Sequence, residues 1–374
     1  MLVTKIRWVE RMIGAAILAR RYRHKIRLAS KQFPIVDDPE LSAAIRKRFN
    51  GYSFDLWHKV YAAASGRTSV DYLPEDLFYN VFESRLNPRH RKEAYKDKNH
   101  YDRLGWSCLP ETVFRIINGR LFDPSYQMID LESALQLAQA TGLSEFVAKP
   151  ARATGGGVGV GFLDLGQLAS FAAAQLKPNA DWIVQHPIRQ HEEMSRLHPS
   201  CVNTLRIVTI RMAPAVTVVS AFVRIGTGTT RVDNLTAGKS IAVGVEQGGR
   251  LGKSAYDDDL RRCDVHPDHG YAFDQFIIPS FSAAQQTCIR LHQSIPELDL
   301  ISWDMAISHD GTPIVVEFNI RRQDVNMSQV CSGPVLKSYI DQVLGRGGWL
   351  VIPGIGAIDR QVDSPFAAGD VDGP

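Results

Sequence analysis

The stretch Ile301-Ser-Trp-Asp304-Met-Ala-Ile-Ser-His309-Asp310-Gly311-Thr312-Pro-Ile314-Val-Val-Glu317-Phe318-Asn319-Ile320 reads as two β-rich runs around an Asp-Gly pair. Asp-Gly between such runs is a strong two-residue hairpin signal. With Asp310 and Gly311 at the tip, His309 faces Thr312, and counting outward sets Asp304 opposite Glu317. Directly opposed side chains share a sheet face, with Cβ atoms about 4.5–5.5 Å apart. Asn319 returns to that face because strands alternate. The register therefore predicts two carboxylates and an amide oxygen converging on one spot.

Like charges opposed in a hairpin destabilise it unless something compensates. A hard divalent cation is one compensator, and an oxygen-only donor set favours Mg²⁺, or Mn²⁺, over zinc. The competing reading is an exposed face whose acids pair with Arg321 or Arg322. Against it, Glu317 lies inside the apolar run Ile314–Phe318, where a solvated acid is out of place. A bulge or a three-residue turn would shift the register and weaken the metal reading.

Upstream, Ala153-Thr-Gly155-Gly156-Gly157-Val-Gly159-Val-Gly161 is a glycine loop between two strand-like runs, EFVAKP and VGVGFLDL. Glycines let backbone N–H groups approach an anion closely. The loop lacks both GxxxxGK[ST] and GxGxxG, so it is neither a P-loop nor a Rossmann fingerprint, and an ordinary hairpin tip remains open. Lys149, ending the first strand, adds a point charge beside the loop. Lys98 offers a second cation, although a lone lysine is more often merely solvated.

Around these segments, residues 40–95 read as helical, and LESALQLAQAT is a helix stopped by Gly142. From Asn203 the chain turns strongly β, PSFSAAQQTCIRLHQSIPE is a helix, and VCSGPVLKSYIDQVL closes the fold. Without regular βαβ alternation the class is α+β. The expected divisions are a basic helix (1–31), a helical N-terminal region (32–95), a subdomain with the glycine loop (96–188), a subdomain with the metal hairpin (189–345) and a partly disordered tail (346–374). QVDSPFAAGDVDGP in that tail is small, polar and acidic.

The chain has 374 residues and a net charge of +3. Its five scattered cysteines form no CxxC pair, which suggests a reducing, cytoplasmic setting rather than a disulfide framework or zinc site. Residues 1–31 hold nine basic residues against one acid, so the remainder is net acidic and offers no nucleic-acid surface. The apolar run Met12–Ala19 is too short to span a bilayer, and the arginines after it argue against a signal peptide. Leu2, Ile6, Val9, Ile13 and Ala16/Ile17 recur at helical spacing. Residues 1–31 are thus either a helix on anionic lipid or an acidic partner, or one packed on the body with a solvated basic face.

Taken together, DKNHYDRLGW, FVAKPARATGGGVGV, DWIVQHPIRQHEEM, SCVNTLRIVTI, AFVRIGTGTTRVDN and WDMAIS…IVVEFN resemble the ATP-grasp superfamily. The resemblance is to its sugar-transfer-associated group, related to glutamate and D-alanine ligases, and runs from about Tyr95 to about Leu344. It implies an ATP-grasp fold, two α+β subdomains clasping ATP, behind a mainly helical N-terminal region. It also implies that Lys98, Lys149 and the glycine loop (Gly155, Gly156, Gly157, Gly159) hold phosphates. Gln185, His186 and Ile188 would form the adenine hinge, and Glu192 would meet the ribose. Arg206 and Arg224 would lie over the γ-phosphate, and Asp304, Glu317 and Asn319 match the magnesium ligands. Ser302 stands where related ligases often have arginine, so Arg206, Arg224 or Lys239 must supply that charge. TAGK at 236–239 departs from the family's pattern, and the N-terminal region is not the usual α/β substrate domain. Arg321 and Arg322 are candidate clamps for a substrate carboxylate.

The function so implied is an ADP-forming ligase that activates a small-molecule carboxylate as an acyl phosphate and joins it to an amine. Two alternatives stand beside it: a thiol or hydroxyl acceptor, and a nucleotide-binding regulator or scaffold without chemistry.

Overall fold

The computed structural model of the chain describes residues 2–152, 158–231, 240–345, 348–352 and 356–359. Two antiparallel sheets organise it. The first holds β1 (Thr112–Ile117), β2 (Arg120–Phe122), β3 (Met128–Ile129), β4 (Phe146–Pro150), β5 (Gly161–Leu163) and β6 (Trp182–Gln185), in the order β3-β2-β1-β6-β4-β5. Helices Leu131–Ala140 and Leu165–Ala174 cover one face of it through Ala134, Ala138, Leu168 and Ala172. Asp130 and Asp164 cap these helices by accepting from the backbone N–H of Ser133 and Gln167.

The second sheet holds β7 (Thr204–Met212), β8 (Ala215–Gly226), β9 (Ser240–Val245), β10 (Leu251–Tyr256), β11 (Arg262–Cys263), β12 (Leu300–Ile307) and β13 (Pro313–Asn319), in the order β11-β10-β9-β8-β7-β12-β13. Alternation along β12 divides its two faces. Ile301, Trp303, Met305 and Ile307 join a core with helix Phe281–Gln293. Leu300 joins a different core, built with the N-terminal helical region. Asp304 belongs to that second face by the same alternation.

The N-terminal region is therefore continuous with the rest of the fold. Trp57, Tyr61, Leu73, Phe78 and Phe82 share one core with Val208, Ile210, Phe222 and Leu300. Polar contacts fasten the seam: Gln329 exchanges two hydrogen bonds with the backbone of Leu73, and Asn87 donates to the carbonyls of Leu300 and Ile320. Within the expected C-terminal tail, β14 (Trp349–Ile352) and β15 (Gly356–Asp359) form a ribbon against helix Leu2–Ser30. The terminal stretch QVDSPFAAGDVDGP lies outside the described residues.

The decisive hairpin has the predicted register at its working end and a different tip. Asp304 pairs with Glu317, Trp303 with Phe318 and Ser302 with Asn319. The turn, however, has three residues: Ser308 N–H donates to Thr312 O at 2.9 Å, with His309, Asp310 and Gly311 between them. Gly311 adopts φ +83°, the left-handed conformation that closes such a loop. This shifts the pairing to Ile307 with Pro313 and Met305 with Val315, and a bulge at Val316 restores it.

Candidate active site

The bulge has a chemical consequence. An extra residue leaves backbone groups outside the ladder, and Val316 O accepts from the Lys149 ammonium at 3.4 Å. The lysine at the end of β4 thus reaches across to β13 and joins the two sheets. Lys98, at the start of the 3-10 helix Lys98–Leu104, places its Nζ 3.4 Å from Glu317 Oε2. Burial, with the like charge of Lys98 adding to it and Glu317 opposing, pushes the Lys149 ammonium down to about 8.

Asp304 is nearly enclosed. Arg206, from β7, donates Nε and Nη2 to its two oxygens at 2.5 and 3.1 Å, and Arg224, from β8, places Nη2 3.0 Å from Oδ1. Asn319 Nδ2 donates to Asp304 Oδ2 at 3.0 Å. Burial alone would raise the Asp304 carboxyl, but Arg206 and Arg224 outweigh it and hold it below the usual carboxylate range. Both acids are therefore ion-paired, Asp304 with Arg206 and Arg224 and Glu317 with Lys98. Four cations (Lys98, Lys149, Arg206 and Arg224) surround two carboxylates, a surplus suited to a polyanion.

These groups line a cavity of about 390 Å³ between the sheets. Its walls include Lys149, Gln185, His186, Ile188, Arg206, Arg224, Asp304, Glu317 and Asn319. Lys98 lies in a smaller adjoining cleft that shares Lys149 and Gln185. Gln185 donates Nε2 to Pro110 O at 3.1 Å, while its buried Oε1 has no hydrogen-bond partner among the described residues. Such an orphan acceptor is costly unless a ligand donor satisfies it. His186 places Nδ1 3.1 Å from Glu111 Oε2.

Other candidates lie elsewhere. Glu192 is exposed at the start of helix Glu192–Leu197 and does not line the cavity; Gln190 and Ser195 do. Arg321 and Arg322 also fall outside its lining. There the chain turns sharply, with Arg322 and Asp324 at φ +56° and +57°, a conformation that non-glycine residues rarely adopt. Contacts from the N-terminal region hold that turn: Gln323 N–H donates to Glu83 and Asp324 N–H to the Tyr79 hydroxyl, at 3.3 and 3.2 Å. Gly159 adopts φ +80°, and an added Cβ would meet Pro150 Cγ at 2.8 Å, so glycine is required there. Gly155, Gly156, Gly157 and Lys239 lie outside the described residues.

Sequence reasoning missed Phe162 and Arg231. The Arg231 guanidinium lies 3.8 Å from the Phe162 ring centroid and pairs with Glu145, and both residues line the cavity. VGVGFLDL placed Phe162 on a strand, but nothing in the sequence indicated that Arg231 would cover it.

The donor set fits a hard cation. Asp304 and Glu317 supply carboxylates, and Asn319, its amide nitrogen spent on Asp304, retains its carbonyl oxygen for an ion. No cluster of three His, Cys, Asp or Glu ligands occurs among the described residues. A magnesium ion held here would need further oxygens from a substrate's phosphates, as is usual for that ion.

Among solved structures, D-cycloserine synthetase DcsG is similar at 14% identity, covering 69% of this chain and 73% of its own, with a TM-score of 0.40. The ATP-grasp ligase PsnB, complexed with minimal precursor, Mg and ADP, is similar at 13%, over 69% and 62%, with a TM-score of 0.37. The biotin carboxylase domain of Hydrogenobacter thermophilus 2-oxoglutarate carboxylase follows at 13%, over 66% and 48%, with a TM-score of 0.38. No curated protein matches the chain. The family described as sugar-transfer associated ATP-grasp matches residues 77–344, which include both sheets and every wall of the cavity. By that match, the chain belongs to the sugar-transfer associated ATP-grasp family and has the ATP-grasp fold.

Proposed function

We propose that the protein is an ATP-dependent ligase that activates a carboxylate as an acyl phosphate, joins it to an amine, and releases ADP and phosphate. The observation that carries this reading is the directly opposed pair Asp304 and Glu317, ringed by four cations, three of them in the wall of the same cavity and Lys98 in the adjoining cleft. Family membership supplies the nucleotide.

Catalysis here is electrostatic and positional. Lys98 and Lys149 bind the phosphate chain, and the orphan Gln185 Oε1 accepts from the base. Arg206 and Arg224 already lie beside Asp304, where they meet the transferring phosphoryl group and then the acyl phosphate. Asp304, Glu317 and Asn319 would hold a magnesium ion, which would supply charge neutralisation at the phosphates. An arginine stabilises the oxyanion as the amine attacks, and no side chain becomes a covalent nucleophile. Surface-polysaccharide or small-molecule biosynthesis is the setting proposed for such a product, with Arg321 and Arg322 as substrate contacts and Lys239 as a further catalytic cation.

The test incubates the protein with ATP, Mg²⁺ and pools of acids and amines, following nucleotide products and conjugate mass. ADP with an amide conjugate is expected. AMP would indicate adenylation, and a thioester or phosphoester would identify the other acceptor class. If Glu317→Ala leaves biological activity intact, the catalytic reading fails and a scaffold role replaces it.

A further inference from the structure

Helix Leu2–Ser30 has two unlike faces. Its inward face buries Ala15, Leu18, Ala19, Ile26 and Ala29. That face is fixed: Arg23 pairs with Asp76 at 2.8 Å, Tyr22 stacks on Tyr79 at 4.7 Å, and Lys25 pairs with Asp258 at 3.1 Å. The helix therefore cannot roll its outer side inward without breaking these contacts.

The outward face carries Val9, Ile13 and Ile17, which are 49%, 55% and 56% exposed. Four-residue spacing places them in one row. Arg20, Arg21, His24 and Lys31 continue that side of the helix, all exposed. Neither Arg20, Arg21 nor Lys31 pairs with a carboxylate of the described residues. A solvated basic face accounts for the arginines but not for three aliphatic side chains in a row.

We propose that this face docks on an anionic phospholipid surface. Val9, Ile13 and Ile17 enter the boundary between headgroups and acyl chains, and Arg20, Arg21 and Lys31 meet the lipid phosphates. Binding of this kind scales with buried apolar area plus attraction to anionic lipid, and the helix supplies both. Charge selects this occupant over a second copy of the chain. Exposed Arg20, Arg21, Arg27 and Lys31 stand against one exposed acid, Glu10, so two such faces would repel each other. No described helix is long and apolar enough to cross a membrane, so the helix lies along the surface.

The test sediments the full chain with phosphatidylcholine vesicles, and with vesicles in which phosphatidylglycerol replaces part of that lipid. Roughly tenfold stronger partitioning onto the anionic vesicles is expected, and added salt reverses it. Ile13→Asp/Ile17→Asp and Arg20→Glu/Arg21→Glu should each lower partitioning about tenfold. Circular dichroism should be unchanged, because these side chains are exposed, and the salt dependence of the unaltered chain needs no variant to fold. The proposal is overturned by failure of the unaltered chain to sediment with anionic vesicles, by equal partitioning onto both, or by indifference to both double variants. A concentration-dependent dimer that Ile13→Asp/Ile17→Asp dissociates would also overturn it, by assigning the face to a second copy.

Discussion

Asp304 and Glu317 face each other across the β12–β13 ribbon, yet they are held by different means: two guanidiniums enclose Asp304, and the Lys98 ammonium reaches Glu317. Identical chemistry thus has unequal structural weight. The Asp304 side chain is 8% exposed and that of Glu317 is 24% exposed.

Substituting each acid should separate catalysis from stability. Glu317→Gln should lower ADP formation by about a hundredfold or more, with a stability change under about 1 kcal/mol. Asp304→Asn should lose the same activity and also about 3 kcal/mol, because it leaves the Arg206 and Arg224 charges together without a counter-ion. Nucleotide-product assays and urea unfolding check both.

Lys149 spans the gap between β4 and the bulge of β13. Lys149→Met should raise the Kd for ATP roughly 10- to 100-fold, the loss expected for one charged hydrogen-bond donor. Equilibrium binding of ATP measures this without turnover.

Gly311 closes the three-residue loop at φ +83°, with Ser280 Oγ 3.2 Å from where a Cβ would stand. Gly311→Val should cost about 1–2 kcal/mol in denaturant unfolding. Gly311→Asn should cost less, since asparagine tolerates that conformation.

Glu75 is buried 3% exposed, and its Oε2 has no hydrogen-bond partner among the described residues. Burial pushes its carboxyl up to about 8, with Lys25 and Asn326 opposing. Below about pH 4.5 folded and unfolded chains are both protonated there, and no penalty applies. Between 4.5 and 8 only the unfolded chain gives up the proton, so stability falls as pH rises. The loss is complete above the folded value, at most about 5 kcal/mol. Glu75→Gln should therefore be more stable than the unaltered chain at pH 8, with the gap closing towards pH 5. Urea midpoints across that range check the sign.

How the sequence relates to the site is clearest in the turns. Asp310-Gly311 suggested a two-residue tip and has a three-residue one, while Asn118-Gly119 is a true two-residue turn between β1 and β2. Both Asn118 and Gly119 have positive φ, as such a turn demands. Asn-Gly between TVFRII and RLF was a readable signal for the first sheet. Counting from a two-residue tip reached the Asp304–Glu317 pairing because the third tip residue and the Val316 bulge cancel; the bulge itself was not legible, since it depends on what the sheet packs against. On the first helix the spacing of Val9, Ile13 and Ile17 was legible; that this row faces outward was not, because the inner face is apolar as well.

The three-residue tip withdraws His309 from β12, and the bulge sets Val316 aside in β13; the two shifts cancel, and Asp304 stays opposite Glu317. Without the bulge, the same tip would carry its register onward and set Glu317 opposite Trp303, turning the acid towards the Trp303 core and Phe318 towards the cavity. A single residue gained or lost between Ser308 and Glu317 is thus silent only where the tip or the bulge takes it up.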